Sequence, residues 1–320
     1  MSSPTLTSLP PEILEKILTH VSSDVATCRS VSATCSTLHA VIVRVPVLVT
    51  IPVKDDDLRW LKDNNVPIRY LYNCEIAAYV SDQIFALNLS QLRVAKLVGY
   101  DYQSRKCEVT QAYLLIVERI RRKARHCLRR FELNVDISKG RRSFRFAELL
   151  PQFVKLRSLS IHFSASIELN QRILNNDDSQ TMIDTILSNL PNLRTFNIHI
   201  NPQRKLHIKS RQLQELGIYK SDSIITKLDL PCLLKLNLHE NTVTLFQKII
   251  NDREVGGKHL HRNLLAIIYD GCPSLQTINH LRLSPYLCSK HRPDKETWTR
   301  HVNSLLVQQY KQLSSQNSEA

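Results

Sequence analysis

The sequence predicts an α/β fold: a helical N-terminal module followed by strand-and-helix units whose strands stack into a parallel sheet. Three observations predict it. Two capped, apolar-periodic segments fill the first fifty residues, an L-x-x-L-x-L frame recurs from residue 128 onward, and the stretches between frames show helical spacing.

The 320 residues are 42% hydrophobic and 22% charged, with 6 Gly and 13 Pro. That balance builds a core without disulfide or metal staples and excludes collagen-like and wholly disordered classes. Neither G-x-G-x-x-G nor G-x-x-x-x-G-K-[ST] occurs, so the nucleotide enzymes that cradle phosphate on glycine loops have no motif here. H-E-x-x-H and G-x-S-x-G are likewise missing, and the expectation is a non-catalytic protein with no cofactor.

Lys and Arg total 43 against 29 Asp and Glu, a net charge of +14 that favours acidic partners, nucleic acid or an anionic membrane. No cationic leader with an apolar run opens the sequence, and the apolar stretch Val41 to Val53 is broken by Arg44, Pro46 and Pro52. The protein is therefore expected to be soluble, cytoplasmic and/or nuclear, with no membrane partner. Its 8 cysteines are scattered without a C-x-x-C pair, which suits reduced, buried thiols and no metal site.

Pro10 and Pro11 fit only the first turn of a helix, and Glu12 and Glu15 suit the positive end of its dipole. The apolar residues Ile13, Leu14, Ile17, Leu18 and Val21 form a stripe wider than one packing seam requires. Ser23-Asp24 reads as the next N-cap, and Cys28, Val31, Cys35, Leu38 and Ile42 share one face of a helix or of two helices with a kink, ended by Pro46.

Leu9-Pro-x-Glu-Ile-Leu-x-x-Ile-Leu, followed by Val31-Ser32-x-x-Cys35-x-x-Leu38, resembles an F-box, with Cys35 standing where many members carry an aromatic. The resemblance implies a three-helix module over residues 5–48 that docks on Skp1, and through it on a cullin, with Leu9, Pro10, Ile13, Leu14, Ile17 and Leu18 as the Skp1-binding residues.

The frame appears as Leu128 to Leu133, Leu156 to Ile161, Leu193 to Ile198, Leu213 to Ile218 and Leu233 to Leu238, with degenerate copies at Ile68 to Cys74, Leu92 to Leu97 and Leu275 to Leu283. Alternate residues of each short strand point inward, so stacked strands share a core that no single unit builds alone. Helical spacing follows over Ala112 to Cys127, where Leu115, Val117, Ile120 and Ala124 form the apolar face. It recurs over Phe146 to Phe153, Thr181 to Leu190, Leu245 to Asn251 and Asn263 to Asp270.

The pattern resembles a leucine-rich-repeat array, here an irregular leucine-rich-repeat solenoid over residues 49–290. Frame starts at 128, 156, 193, 213, 233 and 275 include two intervals of 20 residues, too short for a full helix. Closely stacked strands are expected there, with Leu206-x-Ile208 and Leu228-x-Leu230 adding edge pairings. Residues 291–320 read as a C-terminal capping helix opened by Pro293-Asp294, its apolar face built on Trp298, Val302 and Leu305, with a frayed polar tail from Ser314.

Laying the frames side by side puts Asn134, His162, His199, Tyr219 and His239 in one column on the open face of the sheet. Rungs about 4.8 Å apart would make this a hydrogen-bonding ladder for an extended protein substrate. Neighbouring Arg130 and Lys235 favour an acidic or phosphorylated target. Tyr219 interrupts the histidines, and no thiol or carboxylate falls in register for a metal.

Two basic clusters, Arg119 to Arg130 and Lys139 to Arg145, read as a solvated face, an acidic-partner site or a nucleic-acid site. The function implied by the two resemblances is a substrate-recognition adaptor of an SCF ubiquitin ligase. The alternatives are a basic repeat protein that binds nucleic acid and a non-degradative scaffold.

Overall fold

The computed structural model describes residues 6, 9–21, 24–73, 78–98, 106–135, 145–146, 148–163, 176–199, 205–219, 224–239, 259–288 and 291–318. The chain forms two compact units, Met1–Asp136 with Glu148–Leu156, and Ile137–Ala147 with Arg157–Ala320. Both are mixed α/β with predominantly parallel strands, the class the sequence predicts.

The first unit opens with helices α1 (Pro11–Val21), α2 (Val25–Ser32) and α3 (Ser36–Ile42). Asp24 caps α2, its Oδ1 accepting the Thr27 N–H at 2.8 Å and its Oδ2 the Thr27 hydroxyl at 2.7 Å. The periodic face from Cys28 to Ile42 is thus broken into two helices. Cys35 makes the break, since its extended backbone and its Sγ, 3.4 Å from the Leu38 N–H it accepts, cap α3.

Strand β1 (Val47–Ile51), helix α4 (Asp55–Asp63), β2 (Ile68–Asn73), α5 (Ala78–Ala86), β3 (Val94–Val98), α6 (Lys106–Ala124) and β4 (Arg130–Val135) follow, with the strands parallel in the order β1-β2-β3-β4. β1, α4 and α5 carry no frame and were not expected. On α6 the buried side comprises Leu114, Ile116, Val117, Ile120 and Ala124, while Leu115 is 47% exposed. At about 100° per residue Leu115 lies opposite Val117, so its expected place on the inner face is corrected. Of the helix expected at Phe146 to Phe153, the described residues 146, 148 and 149 are helical, and a single 3₁₀ turn, Leu150–Gln152, follows with Pro151 inside it.

The second unit holds β5 (Ser158–Phe163), α7 (Asn176–Asn189), β6 (Thr195–His199), β7 (Lys205–Lys209), β8 (Glu215–Tyr219), β9 (Ile224–Asp229), β10 (Lys235–His239), α8 (His259–Gly271), β11 (Thr277–Ile278), β12 (Leu281–Arg282), α9 (Pro285–Cys288) and α10 (Lys295–Ser318). β5, β6, β8, β10 and β11 are successive parallel neighbours and β12 closes the row antiparallel to β11. The helix expected at Leu245 to Asn251 lies outside the described residues.

First, fourth and sixth positions of all five full frames are buried, from Leu128, Phe131 and Leu133 to Leu233, Leu236 and Leu238. A repeated corner joins successive frames within the second unit. The carbonyl of the second frame residue accepts two successive N–H groups from the next frame: Arg157 O takes Arg194 and Thr195, Arg194 O takes Gln214 and Glu215, and Gln214 O takes Leu234 and Lys235, all at 2.8–3.0 Å. In three of the five full frames the residue three before the first leucine closes a turn onto it: Leu156 N to Phe153 O at 3.0 Å, Leu193 N to Leu190 O at 3.1 Å and Leu233 N to Leu230 O at 3.1 Å. The Pro in Leu190-Pro-Asn-Leu193 and Leu230-Pro-Cys-Leu233 fits that turn.

The two short intervals carry strands where longer ones carry helices. β7 and β9 do not join the main row but pair with one another, parallel, with Leu206 opposite Ile225 and Ile208 opposite Leu228. α7 packs on β7 and α8 on β9, so the backing layer runs helix, strand, strand, helix. Gln180 of α7 clips β7 by accepting the His207 N–H at 2.9 Å and donating to the His207 carbonyl. Gly271 lets α8 touch β9: its carbonyl accepts the Leu230 N–H at 2.8 Å, and a Cβ there would stand 2.1 Å from Leu228 O.

The C-terminal end closes on Trp298, which is 1% exposed, donates from Nε1 to the Leu287 carbonyl at 3.2 Å and meets Tyr269 edge-on at 5.5 Å. Asp294 Oδ1 accepts the N–H groups of Glu296 and Thr297, each at 3.0 Å, as the start of α10. Val302 and Leu306 complete the buried side, Leu305 is half-buried, and the helix runs on to Ser318, so the tail expected to fray from Ser314 is helical.

Candidate functional site

Helix α1 begins where the prolines require it, Pro10 O accepting the N–H groups of Ile13 and Leu14, each at 3.0 Å. It packs on α3, whose Leu38, Val41 and Ile42 are buried. The six residues expected on the docking face separate into two sets. Leu14 is 0% and Leu18 3% exposed, so both belong to the interior and are corrected as contact residues: four positions apart, they sit on one side of the helix, the side α3 covers. Ile13 is 41% exposed, Pro10 is exposed, and Leu9 and Ile17 are half-buried, with Leu6 at 46% just before them.

The column on the sheet is in register along the second unit: His162 lies opposite His199, His199 opposite Tyr219, and Tyr219 opposite His239. Asn134 lies opposite Val98 in the first unit. The side chains of Asn134, His162, His199 and His239 lie outside the described residues, and that of Tyr219 is half-buried. Next to this column run Ser160, Asn197, Gly217 and Asn237, then Ser158, Thr195, Glu215, Lys235 and Thr277.

The cations that sequence placed beside the column are not bare. Lys235 Nζ stands 2.6 Å from Glu215 Oε1, and Thr195 donates to Glu215 Oε2 at 3.3 Å. Arg130 lies 3.9 Å from Glu132, which also holds Lys96 at 2.9 Å. Glu215 thus neutralises Lys235 while Glu132 is shared by Arg130 and Lys96, and the hydroxyl, amide and phenol groups of Ser160, Thr195, Asn197, Asn237 and Tyr219 on the face of Glu215 are half-buried. The aromatic pair Tyr70 and Tyr72, on the open face of the first unit opposite Val94 and Lys96, was missed. The alternation in Ile68-Arg-Tyr-Leu-Tyr was its available signal.

Much of the first basic cluster is structural. Arg121 donates to both Glu118 oxygens and to Gln152 Oε1 at 2.7 Å, Arg122 donates to Glu118 at 3.1 Å, and Arg119 donates to the Phe85 carbonyl at 2.8 Å. The hydrogen bonds from Arg121 hold the Glu118 carboxyl below its usual range. Of the second cluster, Lys139, Arg141 and Arg142 lie outside the described residues.

Burial raises the Cys28 thiol to about 11 and the Cys272 thiol to about 12, leaving both protonated and unreactive near neutral pH. Among the described residues no group of three or more His, Cys, Asp or Glu is placed to hold a metal ion, and no helix is long and apolar enough to cross a membrane. Neither the models of known protein families nor the curated proteins contain a match to this chain.

Proposed function

We propose that the chain is the substrate-recognition adaptor of a Skp1–cullin–F-box ubiquitin ligase, with α1 to α3 as the F-box and the sheet units as an irregular leucine-rich-repeat solenoid. One observation carries the reading: α1 keeps Leu14 and Leu18 for its own module and leaves Pro10 and Ile13 exposed and Leu9 and Ile17 half-buried. Transferring such side chains from water into a partner's groove is worth about 1.5–3 kcal/mol for each large aliphatic.

In this reading Skp1 and the cullin are the partners, the open sheet face around Tyr219 selects the target protein, and catalysis belongs to other subunits, so that proximity supplies the function. The charge balance of Glu215 with Lys235 favours a target held by hydroxyl and amide contacts over one held by phosphate at that face.

Capture of recombinant Skp1 by the full chain and by an Ile13→Asp, Ile17→Asp variant tests it. The parent is expected to retain Skp1 at high salt, and the variant to lose it with unchanged melting, since both side chains are partly solvated in the free protein. Undiminished capture by the variant overturns the docking assignment.

A further inference from the structure

The basic run at the end of α6 changes character along its length. Arg119, Arg121 and Arg122 are held by Phe85, Glu118 and Gln152, whereas Lys123, Arg125 and Arg129 are exposed and take part in no ion pair with a described carboxylate. Two more exposed cations join these three from other segments. Arg93 precedes β3, and its carbonyl accepts the N–H groups of Arg129 at 2.8 Å and Arg130 at 3.1 Å, so Arg93 and Arg129 occupy adjacent rungs. Lys155 follows the 3₁₀ turn Leu150–Gln152. Gln152 of that turn accepts from Arg121 at 2.7 Å, and Cys127 Sγ donates to the Ser90 carbonyl at 3.2 Å, so the segments that carry Lys155 and Arg93 both lie against the C-terminal part of α6.

We propose that Arg93, Lys123, Arg125, Arg129 and Lys155 form an anion-binding edge of the first unit that takes a carboxylate-rich segment of a partner protein. Neighbouring rungs are about 4.8 Å apart, close to the roughly 5–6 Å between side chains three or four residues apart on a helix. An acidic helix or turn can therefore meet the row without stretching. Guanidinium groups pair carboxylates in bidentate fashion, and three of the five cations are arginines. Single-stranded nucleic acid generally also requires faces on which bases stack; residues 89–94, 122–130 and 154–156 contain no Phe, Tyr or Trp, and the one imidazole, His126, accepts a hydrogen bond from Arg125 at 2.8 Å. Five like charges with no ion pair to a carboxylate among the described residues repel one another, an arrangement that a bound polyanion relieves. Neither α1 nor the open sheet face contributes, so the site stands independently of the adaptor reading.

Fluorescence anisotropy on the full chain with a labelled poly-glutamate peptide tests the proposal, with an uncharged poly-serine peptide, a phosphoserine peptide and a polyuridine oligonucleotide as competitors. The parent is expected to bind poly-glutamate in low salt and release it as salt rises. An Arg93→Glu, Arg129→Glu, Lys155→Glu variant should lose about tenfold or more in affinity. A variant of equal net charge, Lys62→Glu, Arg282→Glu, Arg300→Glu, should keep it. All substituted side chains are exposed, so melting curves should stay cooperative, and the edge variant should melt no lower than the parent as repulsion falls. Equal loss in both variants, or no binding by the parent, overturns the site. Stronger competition by polyuridine or by the phosphoserine peptide than by unlabelled poly-glutamate overturns the carboxylate assignment. Skp1 capture by the edge variant, measured alongside, separates this outcome from failure of the adaptor reading.

Discussion

Arg29 Nε stands 3.1 Å from Asp57 Oδ1, joining α2 to α4 through a carboxylate side chain only 8% exposed. The same guanidinium reaches Asp56 at 3.5 Å, where the acid is 71% exposed. Asp57→Ala is expected to destabilise the first unit by about 1 kcal/mol, because the pair is sheltered from water on the Asp57 side while Arg29, 39% exposed, stays hydrated and keeps Asp56. Asp56→Ala should change stability by less than about 0.5 kcal/mol, its charge being screened by water. Urea unfolding of both variants checks the ratio, and equal losses would mean that burial of Asp57 has no consequence.

Leu159, Phe196 and Leu236 lie at 0% exposure on β5, β6 and β10. Each Ala substitution should cost about 2–5 kcal/mol and lower the melting of the second unit as a block, since the strands share one interior. Hydrogen exchange localises the effect. Protection lost only on the substituted strand would contradict a shared interior.

Gly271 and Gly217 make opposite demands. At Gly271 helix propensity favours Ala by about 1 kcal/mol, but the new Cβ meets backbone, Leu228 O at 2.1 Å, which cannot move without parting α8 from β9. The clash wins, and Gly271→Ala should destabilise by about 2 kcal/mol or more. At Gly217 the obstacles are side-chain atoms, Asn197 Oδ1 at 2.3 Å and Tyr219 Cε2 at 2.7 Å. Gly217→Ala should therefore cost about 1 kcal/mol or less while displacing both groups on the open face. Thermal melting ranks the two, and a milder Gly271 variant would refute the close approach.

Hydrogen bonds from the Thr27 backbone and hydroxyl hold the Asp24 carboxyl below its usual value. A lowered folded-state value means that the cap's contribution is complete above the unfolded carboxyl's titration, near about pH 4, and is lost as pH falls through the folded value. Asp24→Ala should cost about 1 kcal/mol at neutral pH, and the gap to the parent should shrink below about pH 4. Paired unfolding curves at neutral and acid pH measure it; a gap that stays constant would remove the carboxylate from the cap.

The repeat strands were legible because each frame needs three large apolar residues at fixed offsets, and burial leaves no freedom at Leu128, Phe131 and Leu133 or their counterparts. Helix α4 was not, because Asp55–Asp63 places one buried leucine, Leu61, among four aspartates, and an ion pair rather than an apolar stripe anchors it. Strand β1 was hidden between two prolines, and its pairing with β2 is a long-range choice that no local signal records. On α1 the sequence marked the apolar residues but not their division, since which of them face α3 depends on an orientation fixed by packing. The edge at Arg93 and Lys155 was illegible for a related reason: its members come from three segments whose adjacency exists only once the frames are stacked.

The turn Asn279-His280, both at positive φ, reverses the chain after β11, and Asn279 Oδ1 accepts the Leu238 N–H at 2.6 Å. A side chain thereby occupies the acceptor position that the backbone of a longer β11 would have filled. In the vocabulary of polymer growth, Asn279 is an end-stopper: it consumes a reactive site on the last full rung and turns the following segment antiparallel. Lengthening by duplication is consequently confined to insertion upstream of Gln276, and a unit appended beyond Arg282 would meet an edge of the wrong polarity.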